Sequence, residues 1–120
     1  MELGDFLGAL AAIRASKTIT FNPPILVART AAKGLLYRRK FKRGGTPVGI
    51  ARAAQLMNRR VVSLNTIGRM YSYFSRHAVD RKSGWDDPRR PSNGYIAWLL
   101  WGGDAGRVWA TRIWKRFKSR

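Results

Sequence analysis

Between Phe6 and Val79 the chain contains no Asp or Glu, yet it carries fourteen Lys and Arg residues. Cations in that stretch cannot be neutralised by carboxylates near them in sequence, so any fold must keep them at the surface and draw its cohesion from apolar packing. The whole chain, 120 residues, has 24 basic and 6 acidic residues, a formal net charge of +18. A compact protein with such an excess repels itself, and ordinary small domains carry a net charge of magnitude ~2–8. The imbalance points to a polyanionic neighbour, nucleic acid first; the alternative is a basic protein with a charged rind and no such partner.

A packed core is nonetheless available. The hydrophobic fraction is 45%, with five Trp, five Phe and four Tyr, which sets the chain apart from a disordered polycation. The length suits one domain. Without cysteine there are neither disulfides nor thiolate metal sites. No stretch approaches the ~20 apolar residues of a membrane helix, and Glu2 and Asp5 precede the first apolar run where a secretion signal would be basic. The expectation is a complete, soluble, intracellular chain.

Periodicity predicts an all-α fold, a bundle of five or six short helices. Residues 1–21 read as an N-terminal helix (Asp5 to Ala15) and an extended linker; Lys17 to Phe21 alternates like a strand but has no evident partner. Residues 22–120 read as a basic helical domain. Asn22-Pro23-Pro24 starts a helix to about Phe41, with Ile25, Ala28, Ala32, Leu35 and Leu36 as its apolar face and Gly44-Gly45 as its stop. Thr46-Pro47 opens the next, Val48 to about Asn58, with Ile50, Ala51, Ala54 and Met57 inward. Ser63 caps a helix carrying Ile67, Met70, Tyr71, Phe74 and Ala78. After a loop from Val79 to Pro91, Ser92-Asn93 caps an almost wholly apolar helix, Gly94 to Trp101. Gly102-Gly103 breaks it, and Asp104 caps the last helix, with Trp109, Ile113, Trp114 and Phe117 on one side.

Catalytic groups are scarce. His77, the single histidine, reads better as a structural imidazole than as a general base. Asp86-Asp87 suit a turn, or pairing with Arg89 and Arg90, better than Mg²⁺. A nuclease would gather several carboxylates around a cation, and no spacing here asks for that. The reading is non-enzymatic, with no cofactor and no metal.

Three constellations suit polyanion binding. Arg38, Arg39, Lys40, Lys42 and Arg43, interleaved with Tyr37 and Phe41, carry more charge than a helix C-terminus requires. Pro47 to Asn58 with Leu64 to His77 fits a helix-turn-helix, in which Asn65, Arg69 and Tyr73 would face outward to read base edges; Arg59 and Arg60 lie in the connection, which is longer than the usual turn, and a generic αα-hairpin fits equally. The C-terminal helix alternates Trp109, Trp114 and Phe117 with Lys115, Arg116 and Lys118, followed by Arg120. An interfacial membrane helix has this pattern too, but Trp at helical spacing is more often core.

Several stretches resemble, as an ordered set, a small domain encoded in tailed-bacteriophage genomes, cyanophages included. They are Arg38-Arg39-Lys40-Phe41, Arg43-Gly44-Gly45-Thr46, Val48-Gly49-Ile50-Ala51-Arg52-Ala53, Arg69-Met70 with Ser72-Tyr73-Phe74-Ser75-Arg76-His77, and the run from Pro91-Ser92-Asn93-Gly94-Tyr95 to Trp101-Gly102-Gly103-Asp104. The resemblance spans roughly Pro23 to Trp109. It implies a virion or DNA-handling setting, in the phage particle and the host bacterial cytoplasm, and no particular activity. Asn58-Arg59-Arg60-Val61-Val62 departs from it, being more basic and poorer in glycine. The resulting expectation is a minor virion or capsid-associated structural protein, its basic faces meeting packaged double-stranded DNA or acidic capsid protein. A helix-turn-helix regulator is the alternative, and a metal-dependent nuclease a third.

Overall fold

Hydroxyl side chains open three of the helices. The structure, a computed structural model, describes residues 19–118; the Asp5 to Ala15 helix and Arg120 lie outside them. Thr46 Oγ1 accepts the Gly49 N–H (3.2 Å), Ser63 Oγ that of Thr66 (3.1 Å) and Ser92 Oγ that of Tyr95 (3.0 Å). Each satisfies a donor that the first helical turn leaves unpaired. The described elements run β1 (Thr20–Phe21), α1 (Ile25–Phe41), α2 (Pro47–Met57), β2 (Val62–Ser63), α3 (Leu64–His77), a 3₁₀ turn (Ala78–Asp80), α4 (Asn93–Leu100) and α5 (Gly103–Lys118). The fold is all-α, with one two-residue antiparallel pairing that matches Thr20 with Ser63 and Phe21 with Val62.

The apolar helix α4 lies at the centre, as its composition predicts: Ile96, Trp98, Leu99 and Leu100 are buried. Around it, Val27 and Ala31 of α1, Ala53 and Leu56 of α2, Ile67, Met70 and Phe74 of α3, and Ala110 of α5 close one core. Two contacts are made against bare backbone. A Cβ on Gly34 would fall 2.7 Å from the Leu100 nitrogen, so α1 meets α4 main chain to main chain. Gly68 of α3 lies beneath the Trp114 ring of α5.

The structure corrects several expectations. Helix α1 buries Val27, Ala28, Ala31 and Gly34, while Ile25 and Leu36 are more than half exposed. Close approach to α4 selects its small residues over its large ones. Helix α2 turns in the same sense, burying Gly49, Ala53 and Leu56 and leaving Ala51 and Met57 exposed. The N-cap of α1 is Pro24, without a side-chain bond, in place of Asn22. Lys42 ends that helix in a left-handed conformation (φ 54°), its N–H donating to Arg38 O at 2.9 Å. Gly44 and Gly45 continue the turn at positive φ. Asp104 sits inside the first turn of α5, not ahead of it, because Gly102 and Gly103 take the positive φ that starts the helix. Thr20-Phe21 does have a strand partner. The connection from α2, turning through left-handed Arg59, brings Val62-Ser63 alongside it.

Candidate nucleic-acid interface

The described carboxylates are Asp80, Asp86, Asp87 and Asp104, all within one stretch of chain, and three of them are occupied close to home. Asp80 Oδ2 lies 3.0 Å from His77 Nδ1. Asp87 Oδ1 accepts the Arg89 N–H (2.9 Å), and its carboxylate also takes the Arg89 guanidinium. Those side-chain and backbone hydrogen bonds hold the Asp87 carboxyl below its ordinary pKa. Asp104 Oδ1 accepts from Arg81 Nη1 (2.7 Å) and Trp98 Nε1 (2.9 Å). Asp87 thus makes the pairing with Arg89 that its surroundings predict. Among the described residues, no Lys or Arg of α1, α2 or α3 has a carboxylate partner.

The basic run leaving α1 is held in place by its flanking turn. Arg38, Arg39 and Lys40 are exposed on the last turn of α1, with Lys40 Nζ 5.3 Å from the Phe41 ring centroid. Lys42 is exposed; Arg43 is partly buried and its Nη1 donates to Pro91 O at 3.4 Å. The second basic run, Lys115, Arg116 and Lys118, is exposed on the last turn of α5. Phe117 meets Phe21 edge-on at 5.6 Å, close to where α1 begins, whereas the first run lies where α1 ends. The 17 residues of that helix rise about 25 Å, so the two runs form separate patches.

Asn65 and Arg69 are exposed on α3 and line one cleft, of about 600 Å³, together with Ser72 and Arg76. Arg60 is exposed on a neighbouring cleft of about 620 Å³ beside α2. Arg59 is tethered, its Nε donating to Pro23 O at 2.9 Å. Tyr73, expected to face outward, is buried and stacks on Trp101, with centroids 4.6 Å apart and planes at 10°. Its ring completes the core under α4, and it is no base reader. Burial, then the charge of Asp80, raises its phenol pKa above the ordinary 10.0.

Sequence reasoning did not single out Arg52, Ser72 or Arg76 for this site. For two of them the signal was present: Asn65, Arg69, Ser72 and Arg76 are spaced four, three and four apart, one polar stripe opposite Ile67, Met70 and Phe74. Arg52 lines the neighbouring cleft beside α2, and tertiary structure alone brings it to Trp101, which lines the first. Its guanidinium lies 5.6 Å from the Trp101 ring centroid and donates from Nη1 to Gln55 Oε1 at 2.5 Å. Its Nε is buried without a hydrogen-bond partner. Burial, and then the charge of Arg69, lowers its pKa from the ordinary value.

Among the described residues, no three of His, Cys, Asp and Glu gather where a metal ion could sit, and no helix is long and apolar enough to cross a membrane. The arrangement offers guanidinium and ammonium donors to anions on three surfaces. No protein-family model, curated protein or solved structure matches this chain.

Proposed function

We propose that this protein is a non-enzymatic, virion-associated component of a tailed phage that contacts double-stranded DNA through its cationic faces. The observation that carries the reading is the separation of charge. The described acids are confined to residues 80–104, and the Lys and Arg of α1, α2 and α3 have no carboxylate partner among the described residues. Duplex DNA presents one negative charge per ~1.7 Å of axis, an anionic density suited to several such patches at once. The resemblance of the Arg43 to Ala53 and Pro91 to Asp104 stretches to a tailed-phage domain supports the particle setting.

Anisotropy of a labelled duplex of arbitrary sequence tests the binding. The expected affinity falls between about 50 and 200 mM salt, with a slope near −0.9 per phosphate contacted. Absence of binding at about 50 mM salt overturns the DNA reading, and binding to isolated acidic capsid protein alone would redirect it. Mass spectrometry of purified particles tests the setting, and absence from them refutes it.

A sequence-specific regulator is the second reading, favoured by the exposure of Asn65 and Arg69 at the start of a Ser63-capped helix. It requires protection of a defined operator, and relaxed preference in Asn65→Ala by ~1–3 kcal/mol.

A further inference from the structure

The cleft beside α3 has features that a general cationic surface does not explain. Arg52 and Arg69 come from different helices and are linked through Trp101: Arg52 lines the neighbouring cavity with its guanidinium 5.6 Å from the Trp101 ring centroid, Trp101 lines the cleft together with Arg69, and the charge of Arg69 acts on Arg52. Like charges so placed repel, and the effect grows as water is excluded. One of the pair also keeps a buried N–H without a partner, a group native proteins usually satisfy with an ion or water. The cleft is concave: Val48 lines both it and the neighbouring cavity, and Trp101 and Trp114 contribute aromatic walls. Along it the stripe from Asn65 to Arg76 rises about 16 Å, with Arg69 and Arg76 two turns apart. A single phosphate cannot span that rise, and a rigid duplex cannot enter a cavity of about 600 Å³. A flexible strand can do both. Cationic grooves flanked by aromatic rings are the general solution for holding single strands.

We propose that the cleft between α2 and α3 binds the phosphate backbone of a single nucleic-acid strand, with Arg52 and Arg69 sharing one phosphate and Arg76 meeting another. This rests on the reading that the polyanion is nucleic acid. It adds a second mode, in which a strand end or an unpaired segment is held by the cleft while duplex lies on the outer patches. The guanidinium forks supply paired N–H donors to phosphate oxygens.

The test compares labelled oligothymidylate with a duplex of equal length, on the full chain and on Arg52→Gln, Arg69→Gln, Arg76→Gln and the control Lys40→Gln. Each cleft variant is expected to weaken oligothymidylate binding about tenfold. Arg69→Gln and Arg76→Gln should each flatten the salt slope by about 0.7. Duplex binding should fall less than strand binding in these variants, whereas Lys40→Gln, on the outer patch, should reduce duplex affinity more than strand affinity. Unchanged strand affinity in the cleft variants, or equal losses for strand and duplex, overturns the proposal. A second readout on the unmodified chain guards against misfolded variants: oligothymidylate should raise the melting temperature and should be displaced only weakly by inorganic tripolyphosphate. Displacement by tripolyphosphate at equal charge concentration would assign the cleft to free oligophosphates and overturn the strand assignment. Failure of the unmodified chain to bind duplex at low salt sinks the wider reading instead, and leaves the strand measurement interpretable.

Discussion

The Trp114 ring of α5 covers the bare Cα of Gly68 in α3: a Cβ built on Gly68 would stand 2.7 Å from Cζ3 and 2.9 Å from Cη2. Alanine is the better helix former by up to about 1 kcal/mol, but overpacking costs about 1–3 kcal/mol. The atoms in the way belong to a side chain that can shift, so Gly68→Ala is expected to destabilise by a net ~1 kcal/mol, or about 4–8 °C in a domain of this size. A melting temperature at or above that of the unmodified protein would mean that the indole yields freely.

Gly34→Ala should be worse. Its added methyl would meet the Leu100 nitrogen at 2.7 Å and the Leu99 carbonyl carbon at 2.9 Å, and main chain cannot swing aside. The loss should reach the upper part of the ~1–3 kcal/mol range. Urea titration of the two variants side by side checks the order, and a smaller loss at Gly34 contradicts the account of how α1 meets α4.

These two glycines show where the sequence could and could not be read. Helices α3 and α4 were legible because Ser63 and Ser92 cap them and their apolar residues are large, so that periodicity alone selects the inner side. Helix α1 offers Ile25 and Leu36 on one side and Val27, Ala31 and Gly34 on the other. Hydrophobicity favours the first, but distance of approach decides for the second, and no local pattern encodes distance. The pairing of Phe21 with Val62 and the position of Arg52 over Trp101 are products of chain return, invisible along the sequence. The stripe of Asn65, Arg69, Ser72 and Arg76 was readable. Its mouth against Trp101 was not.

Tyr73 makes stability depend on alkaline pH. Its folded pKa is raised by burial and by Asp80, so the native state holds the proton after the unfolded chain has released it. The contribution is complete below the ordinary value of 10.0 and is lost progressively as pH rises beyond it. Urea unfolding at pH 9, 10 and 11 should show the unmodified protein losing stability faster than Tyr73→Phe. Parallel profiles would mean that the phenol ionises without opening the core.

Self-repulsion from a net charge of +18 should be visible without any partner. Raising salt from about 0.01 to 0.15 M shortens the screening length from about 30 to 8 Å, so the melting temperature is expected to climb across that range. A flat or falling curve by scanning calorimetry would show the cations already compensated within the chain.

Replacing Arg38, Arg39 and Lys40 together by Gln should leave the fold intact, since all three are exposed and surface changes usually stay within about 0.5 kcal/mol each. Duplex affinity should fall, and the salt slope should flatten by about 0.9 for each phosphate that is no longer neutralised. An unaltered slope would remove this patch from the DNA-contacting surface.

The turn that follows this patch bears on its thermodynamics. Gly44 is wedged so closely on α4 that a Cβ there would lie 2.6 Å from that of Ile96, and Arg43 is tied to Pro91. The cations at the end of α1 are therefore mounted on a stiff bracket, unlike the loose basic arms that must be ordered when they meet an anion. Association at this corner forfeits little chain entropy, and its heat-capacity change should carry no signature of coupled folding.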